Sequence, residues 1–435
     1  MMYEAMKHEE LIPVSKKRGG RLILKSGHVT DPAGGIDCIM DIAIRGDRIE
    51  TIGKDIPAKH GDRIIDCKGL YVWPGLIDIH LHISDLYEIN TNTAYGAVQD
   101  GVTTGLSPGA GNTFMTPALL GAEADRGLPV NVGVYLGGAN ILGSMLSEEE
   151  LILLFQGRLS QSVKEQKMSR NWITNQTAQF AVGIKEHMGH FLMDDARLKS
   201  LLRIAEESGL LFMSHTQDIA HTRKVCGMAE GRPVHLGHTN AAGCGTHGEA
   251  YTAMKEAVTL CKQTNITGEF VTTMLRKGLG CREGLLMDKR AQDAALQALA
   301  DGVVNIMVSD GQNQSAMKGF GDTRDNIPCI LELIENRVLG RKRAVASMTE
   351  NPARLLYQRT ENKEWKRYGN LAVNSYANVT IVSPEYKRAT YVITNGIITS
   401  FESRYMRSCG KAGYWVSKFG TTKNMGVGEL PIFRS

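Results

Sequence analysis

Three polar residues alternate with apolar ones in the stretch VWPGLIDIHLHISD: Asp78, His80 and His82. On a β-strand, side chains two positions apart lie on the same face, so a strand here directs all three groups to one place. Two imidazoles directed at one point are a typical pair of metal ligands, although two hydrogen-bonded core histidines would show the same spacing. The pattern indicates the first part of a metal site, with Asp78 one step deeper, where it would orient ligands or satisfy buried donors.

Further residues with ligand-type side chains stand at the ends of later apolar runs. They are Lys185 in AVGIKEH, His215 in FMSHT, His238 in HLGHT and Asp310 in MVSDG. The gaps between these positions, counted from His82, correspond to about three, one, one and two strand–helix units of about 30 residues each. This spacing predicts that the groups lie on strands 1, 4, 5, 6 and 8 of a series.

The sequence between residues 73 and 360 is typical of a series of alternating strands and helices. Short apolar runs such as NVGVYLGG and NIMVSDG alternate with amphipathic stretches such as DDARLKSLLRIAEES. This alternation predicts parallel β/α units, and enough of them fit to close an eight-stranded (β/α)8 TIM barrel. In such barrels the functional groups gather at the carboxyl ends of the strands, where the ligand-type residues are found here.

The two ends of the chain, residues 1–72 and 361–435, are rich in sequence patterns typical of β-strands. Neither end has enough apolar residues to bury a core alone, so the two are predicted to pair into one small composite β-sandwich domain around the barrel of residues 73–360. The tail from about Arg407 to Ser435 is expected to be extended and to make oligomeric contacts.

Composition excludes several classes of protein. The chain has 435 residues, with 50 Lys and Arg against 46 Asp and Glu and a net charge of +4, and it has no long run of like charges. Nucleic acid and membrane surfaces are therefore not expected as partners. The eight cysteines are scattered without a C-x-x-C pair, and no signal-peptide or membrane-span pattern is present. These features predict a soluble cytoplasmic protein with free thiols.

Taken together, these motifs resemble those of the amidohydrolase superfamily over nearly the whole chain. The matching pieces are PGLIDIHLH, the strand end GIK, the two later histidines, SDG, the segment MTENPARLL and, near the end, VITNGIITS. Each motif alone is weak, but their order and spacing are specific. The resemblance implies the same barrel and composite β domain that the patterns predict.

The resemblance also implies a site with two metal ions. In it, His80 and His82 would bind the more buried ion and His215 and His238 the more exposed one. Lys185 would bridge both ions after carboxylation by CO₂ to N6-carboxylysine, because an ammonium has no acceptor whereas a carbamate has two oxygens. Asp310 would bind the first ion and act as the general base and then as the general acid.

The implied chemistry is hydrolysis. Bound metal lowers the pKa of water from 15.7 to about 7, so a metal-bound hydroxide can attack an amide carbon while Asp310 passes the proton to the leaving nitrogen. Zinc is the first expectation for this ligand set, and Mn, Fe or Co fit it too.

The expected activity is cleavage of a C–N amide bond in a small N-acyl-amino acid or dipeptide-like substrate. The alternative is a cyclic amidohydrolase of the hydantoinase or dihydropyrimidinase kind. Lys185 and the segment HTQD disfavour a deaminase, and HLHISDLYE lacks the arginine that dihydroorotases carry after the histidine pair. Deacylases of the D-aminoacylase type usually lack a lysine at the place that Lys185 has here, so the resemblance does not extend well to that subtype.

Two further possibilities stay open. The same metal site would cleave an ester or a lactone, and some hydantoinase relatives lose the ligands and serve as non-catalytic scaffolds. The chain retains all six ligand-type residues, which counts against a scaffold.

Contacts to a small-molecule substrate are expected from the loops that follow the strands. The candidates are Asn112, Tyr135, Asn240, Thr272 and Arg276. A cation such as Arg276 would imply a carboxylate on the substrate. Of the remaining barrel histidines, His235 is predicted to be structural. His187, His190, His221 and His247 are predicted to be solvated or to contact ligands rather than to be ligands themselves. Enzymes of this kind lead us to expect a homo-oligomer, a dimer or a tetramer.

Overall fold

The structure is a computed structural model that describes residues 20–85, 88–109, 111–186, 193–279, 286–312, 319–406 and 411–427. Its strands are β1 (Leu22–Asp31), β2 (Ile36–Arg45), β3 (Arg48–Gly53), β4 (Arg63–Asp66), β5 (Tyr71–Pro74), β6 (Leu76–Asp78), β7 (Ser84–Asp85), β8 (Glu88–Ile89), β9 (Val102–Ser107), β10 (Asn131–Gly137), β11 (Gly183–Lys185), β12 (Leu211–His215), β13 (Val234–Gly237), β14 (Ile266–Val271), β15 (Ile306–Val308), β16 (Val379–Ser383), β17 (Arg388–Thr394), β18 (Ile397–Phe401), β19 (Arg404–Tyr405), β20 (Trp415–Ser417) and β21 (Gly420–Thr422). Its α-helices are α1 (Thr91–Gln99), α2 (Thr116–Arg126), α3 (Gly138–Leu142), α4 (Glu148–Phe155), α5 (Gln161–Lys167), α6 (Trp172–Thr177), α7 (Asp195–Ser208), α8 (Ile219–Met228), α9 (Ala250–Leu260), α10 (Thr272–Leu275), α11 (Lys289–Ala300), α12 (Asn326–Glu335), α13 (Arg341–Ala346) and α14 (Glu350–Thr360).

Eight parallel strands form the barrel, which confirms the predicted (β/α)8 fold. In order around the barrel they are β6, β9, β10, β11, β12, β13, β14 and β15. The last strand meets the first just beyond their ends, where Leu81 and Gly311 form a parallel bridge and the His82 N–H donates to the Gly311 carbonyl at 2.9 Å. The chain segment that carries His80 and His82 therefore lies beside the segment that carries Asp310.

The sequence periodicity explains the layers. The barrel strands are buried along their whole length apart from single positions, because helices cover one face and the barrel core fills the other. Helix α7 shows the matching amphipathic pattern, with Leu198, Leu201 and Leu202 buried. The Asp194 side chain accepts from a backbone N–H at its start, and Gly209 ends it with a left-handed backbone, φ 64°.

The two chain ends form a separate sheet of nine strands, β1 to β5 and β16 to β19. The halves meet where β16 pairs antiparallel with β5, which places Ile381 opposite Val72. Both side chains belong to an apolar core that residues from both ends share. The sharing of one β unit by the two ends is therefore observed, as the limited apolar content of each end predicts.

The described part of the C-terminal tail differs from the expected extended segment. Residues 411–427 return to the barrel, where β20 lies parallel to β10 with Trp415 opposite Val132. The Trp415 side chain is buried, and its Nε1–H donates to the Phe180 carbonyl at 3.1 Å. Met425 N–H donates to the Asp125 carboxylate at 2.8 Å. These residues pack on their own barrel, whereas residues 407–410 and 428–435 lie outside the described residues and assembly stays a prediction.

The sequence led us to expect free cysteines and no membrane-spanning segment. Within the described residues, the cysteines are free thiols: Cys38, Cys67, Cys226, Cys244, Cys261 and Cys329. No helix in the same part of the chain is long and apolar enough to cross a membrane.

The tail contact gives a stability prediction. Trp415→Ala removes a buried indole from the barrel core, so the free energy of unfolding should fall by about 3–5 kcal/mol, measured by urea denaturation. Phe419→Ala is the control, because that ring is 43 % exposed and its loss should have a small effect. Equal effects of the two substitutions would contradict the packing of the tail on the barrel.

Candidate metal centre

Three ligand-type side chains converge where the barrel closes. The ligand atoms of His80, His82 and Asp310 all lie within 4.8 Å of one another. His82 Nε2 is 2.9 Å from Asp310 Oδ1, and His80 Nε2 is 3.2 Å from the same oxygen. Asp310 has a left-handed backbone, φ 49°, which turns its side chain toward the histidines just after β15.

This arrangement suits a divalent cation. The other ring nitrogen of His80, Nδ1, contacts the Glu269 carboxylate, so Nδ1 carries the hydrogen and Nε2 presents its lone pair. A lone pair that faces a carboxylate oxygen is repelled unless a proton or a cation lies between them. Ligand atoms about 2.0–2.2 Å from one tetrahedral ion lie about 3.3–3.6 Å from each other, and the observed separations of 2.9 and 3.2 Å are slightly shorter than that spacing.

A second pair of histidines lies next to the first. The rings of His215 and His238 are 4.2 Å apart between centroids, and the ring of His238 is 5.2 Å from that of His80. His238 Nδ1 is buried and makes no hydrogen bond within the described residues. Burial, together with His215 and Lys185, lowers the pKa of His238 well below its ordinary value. A neutral imidazole with a buried lone pair is the form that binds a metal.

Lys185 reaches the region between the two pairs. It ends β11 and is buried, and a Cβ added to Gly237 would lie 3.1 Å from both Lys185 Nζ and His80 Cε1. Burial is the largest cause of the lowered pKa of His80 and of His238, and the charged amino group of Lys185 lowers both further. The position therefore fits a group between two ion sites, and its carboxylation to N6-carboxylysine stays a prediction.

Asp310 is held as a carboxylate. Burial alone would raise its pKa, but His80, His82 and the Phe320 N–H lower it below its ordinary value. The Phe320 N–H donates to Asp310 Oδ2 at 2.7 Å, so each oxygen of the carboxylate has a separate neighbour. The Phe320 ring lies 4.8 Å from the ring of His238 between centroids and packs on the second pair.

Asp78 lies beneath the histidines and confirms the expected bracing role. Its Oδ1 accepts from His80 N–H and its Oδ2 accepts from Ser309 N–H, both at 3.1 Å. It thus joins the first strand of the barrel to the chain after the last strand. Burial raises the pKa of Asp78 to about 7, against the effect of these hydrogen bonds.

Sequence reasoning missed Glu269 on β14. Its Oε1 contacts His80 Nδ1 and accepts from His238 N–H at 3.0 Å, and its Oε2 lies 2.9 Å from His235 Nε2. Burial alone would raise the pKa of Glu269, but His80 and His235 lower it below its ordinary value. The available signal was a charged residue inside the strand-like run ITGEFV.

A second buried carboxylate braces the neighbouring strands. Glu186 accepts from the Ser214 hydroxyl at 2.8 Å and lies 2.8 Å from His221 Nε2. His221 and His235 thus have structural partners, as predicted for His235, and His247 is partly exposed, 4.0 Å from Asp218. His187 and His190 lie outside the described residues.

Three of the five substrate-contact candidates have polar side chains that form hydrogen bonds within the chain, and their contact with a substrate stays a prediction. Asn112 Nδ2 donates to Ser84 Oγ and to the Tyr135 carbonyl. Asn240 pairs with both backbone groups of Val271. Thr272 Oγ1 donates to Asn326 Oδ1. All three side chains are buried, and these hydrogen bonds stabilise the loops that carry them.

The other two candidates have different surroundings, and their contact with a substrate stays a prediction too. Arg276 forms ion pairs with Asp325 and Glu332, so its guanidinium is already bound by two carboxylates. Tyr135 lies on β10 rather than on a loop, and its side chain is fully buried. Burial raises the pKa of its hydroxyl well above the ordinary value.

The amidohydrolase family matches residues 71–403, and the chain belongs to this family. The family, together with the dihydroorotase relatives described next, makes the chain a hydrolase that acts on carbon–nitrogen bonds other than peptide bonds.

Relatives with known names agree with this assignment. A dihydroorotase from Trichlorobacter lovleyi is 24 % identical over 409 residues, covering 83 % of this chain and 89 % of the relative. An N-acyl-D-glutamate deacylase from Alcaligenes xylosoxydans is 30 % identical over 218 residues, covering 45 % of this chain and 44 % of that protein. A crystal structure of a D-hydantoinase superposes with a TM-score of 0.68 at 18 % identity, covering 92 % of this chain and 100 % of that one. This last likeness shows the fold alone.

The lack of a side chain at Gly237 gives a test of the site geometry. Gly237→Ala would press a methyl group against His80 and Lys185, so metal uptake per chain should fall and the free energy of unfolding should drop by about 1–3 kcal/mol. Elemental analysis and urea denaturation measure the two effects. Gly227→Ala in α8 is the control, because a Cβ there meets no atom within 4 Å. Unchanged metal uptake in Gly237→Ala would contradict this geometry.

Proposed function

We propose that the chain is a metal-dependent hydrolase that cleaves the C–N bond of a small amide with two divalent ions. The observation that carries this proposal is the convergence of two imidazole nitrogens on one carboxylate oxygen at 2.9 and 3.2 Å. One ion would be held by His80, His82 and Asp310, and the other by His215 and His238. The carbamate of Lys185 would bridge the two ions. Zinc is the first ion to test, followed by Mn, Fe and Co.

The chain's own residues supply position and proton transfer. When bound, divalent ions lower the pKa of water and polarise a carbonyl oxygen. Asp310 Oδ1 faces the histidines, while Oδ2 is fixed by the Phe320 N–H at 2.7 Å. Because its pKa is below the ordinary value, Asp310 is ionised at neutral pH and can accept a proton. It would then deliver that proton to the nitrogen that leaves.

A cyclic amide is the substrate class that the comparisons favour. The relatives that match more than four-fifths of this chain are mostly named dihydroorotases, and these act on ring amides. The segment after the histidine pair, HLHISDLYE, lacks the arginine expected for gripping dihydroorotate. Arg276 is bound by Asp325 and Glu332, so it does not replace that arginine. We therefore favour a ring amide whose binding does not require a substrate carboxylate held by Arg276 or by an arginine after the histidine pair.

A linear N-acyl-amino acid or dipeptide-like amide is the second candidate. It is supported by the N-acyl-D-glutamate deacylase, which has the higher identity, 30 %, but matches less than half of this chain. A non-catalytic scaffold is disfavoured because the histidines and Asp310 remain arranged around one point.

The proposal is tested with purified protein loaded with Zn²⁺ or Mn²⁺ and assayed on a substrate panel. The panel contains hydantoins, dihydropyrimidines, dihydroorotate, N-acyl-amino acids, isoaspartyl dipeptides and a lactone. We expect hydrolysis of at least one ring amide, with loss of activity after chelation and recovery after metal is returned. Activity on linear amides alone would support the second candidate. A lack of turnover on every amide, in protein that holds metal, would contradict the proposal.

Asp310→Asn tests the proton transfer. The amide keeps one acceptor oxygen but cannot accept a proton at neutral pH, so turnover should fall by about 10²–10⁴-fold. Metal content, measured by elemental analysis, should fall much less than turnover. Asp301→Asn at the end of α11 is the matched control and should leave turnover unchanged. Turnover within threefold of wild type in Asp310→Asn would contradict the assigned role.

A further inference from the structure

We infer that Glu269 is a positioning residue that fixes His80 and His238 together and thereby sets the affinity of both metal sites. The inference rests on the proposed function, because it assumes that these two histidines are ligands. It starts from one atom, Glu269 Oε1, which contacts His80 Nδ1 and also accepts from the His238 N–H at 3.0 Å.

The contact with His80 fixes its tautomer. A carboxylate can only accept, so His80 Nδ1 carries the hydrogen, and in the neutral ring Nε2 then keeps its lone pair on the side of Asp310. Histidine ligands commonly donate their second N–H to a carboxylate, which orients the ring and makes the ligating nitrogen more basic. Glu269 is fully buried beside His80, and water does not compete for this contact.

The contact with His238 fixes a strained backbone. His238 has a left-handed conformation, φ 37°, which costs about 1–2 kcal/mol for a residue other than glycine. Its N–H points to Glu269 Oε1, so the carboxylate stabilises the turn that directs the His238 ring toward His215. One oxygen therefore holds ligands that come from the first and the sixth barrel strands.

The second oxygen of Glu269 is held as well. Oε2 lies 2.9 Å from His235 Nε2, and His235 Nδ1 lies 2.9 Å from Thr267 Oγ1. Both Glu269 and His235 are completely buried, so the side chain has a single orientation. The charge of the carboxylate is compensated by three hydrogen-bond donors, which a buried carboxylate requires.

Glu269 acts through the histidines rather than as a ligand. It contacts the Nδ1 edge of the His80 ring, whereas Asp310 faces the Nε2 edge. Both of its oxygens are already engaged by His80, His235 and the His238 backbone.

The experiment measures metal affinity rather than turnover. Wild type and Glu269→Gln are prepared without metal and titrated with Zn²⁺ in competition with a chromogenic chelator, and the Co²⁺ forms are compared by visible absorption. Glutamine keeps the shape of the side chain but loses its charge, so we expect Zn²⁺ affinity to fall about 10- to 100-fold, with an altered Co²⁺ spectrum.

Glu186→Gln is the matched control. Glu186 is an equally buried carboxylate with a histidine partner, His221, and its hydrogen bonds among the described residues are with His221 and the Ser214 hydroxyl. We expect its Zn²⁺ affinity to stay within threefold of wild type, even if the free energy of unfolding falls. Should Glu269→Gln fail to fold, Glu269→Asp takes its place, because the shorter side chain keeps the charge but loses reach, and weakened binding is again expected.

Zn²⁺ affinity within threefold of wild type in the folded Glu269 variant would overturn the inference. An equal loss in Glu186→Gln would overturn it too, because the effect would then belong to any buried carboxylate. Wild type that binds Zn²⁺ but hydrolyses no amide would contradict the proposed function and leave the role of Glu269 standing. Wild type that takes up no divalent metal would contradict both.

Discussion

The site depends on how the barrel closes between its first and last strands. Asp78 and Ser309 are hydrogen bonded although they are 231 residues apart in the chain, and the His82 N–H donates to the Gly311 carbonyl directly above them. This junction sets His80 and His82 beside Asp310 without any loop having to fold over. Because the closing contacts are made by backbone and by one buried carboxylate, the ligand atoms are preorganised by the barrel itself.

Burial then decides the charge of each group. Asp78, Glu269 and Asp310 are all buried, and burial alone would raise the pKa of each. Only the pKa of Asp78 is raised, because its hydrogen bonds with Ser309 and with the His80 N–H offset burial only in part. Glu269 and Asp310 face histidines and have a lowered pKa, so they stay ionised. The pKa values of His80 and His238 are lowered, which leaves their imidazoles neutral and ready to bind a metal.

Much of this arrangement could be predicted because it follows from local periodicity. The strand ends carry Lys185 and His215 in the expected order, since each β/α unit returns the chain to the same rim. Glu269 could not be assigned, because its partners come from strands that only the closed barrel makes adjacent. The ion pairs of Arg276 could not be predicted for the same reason, because Asp325 and Glu332 are distant from it in sequence. The packing of Trp415 on the barrel could not be predicted either, because its partner Val132 is distant from it in sequence.

The most direct test of this account is elemental analysis of the purified protein together with its intact mass under non-denaturing conditions. The account predicts two divalent ions per chain and an added mass of about 44 Da from CO₂ bound at Lys185, as expected for a two-metal site with a lysine carbamate. One ion with no added mass would contradict the bridging role of Lys185. No metal after expression with added Zn²⁺ or Mn²⁺ would contradict the assignment of the whole centre.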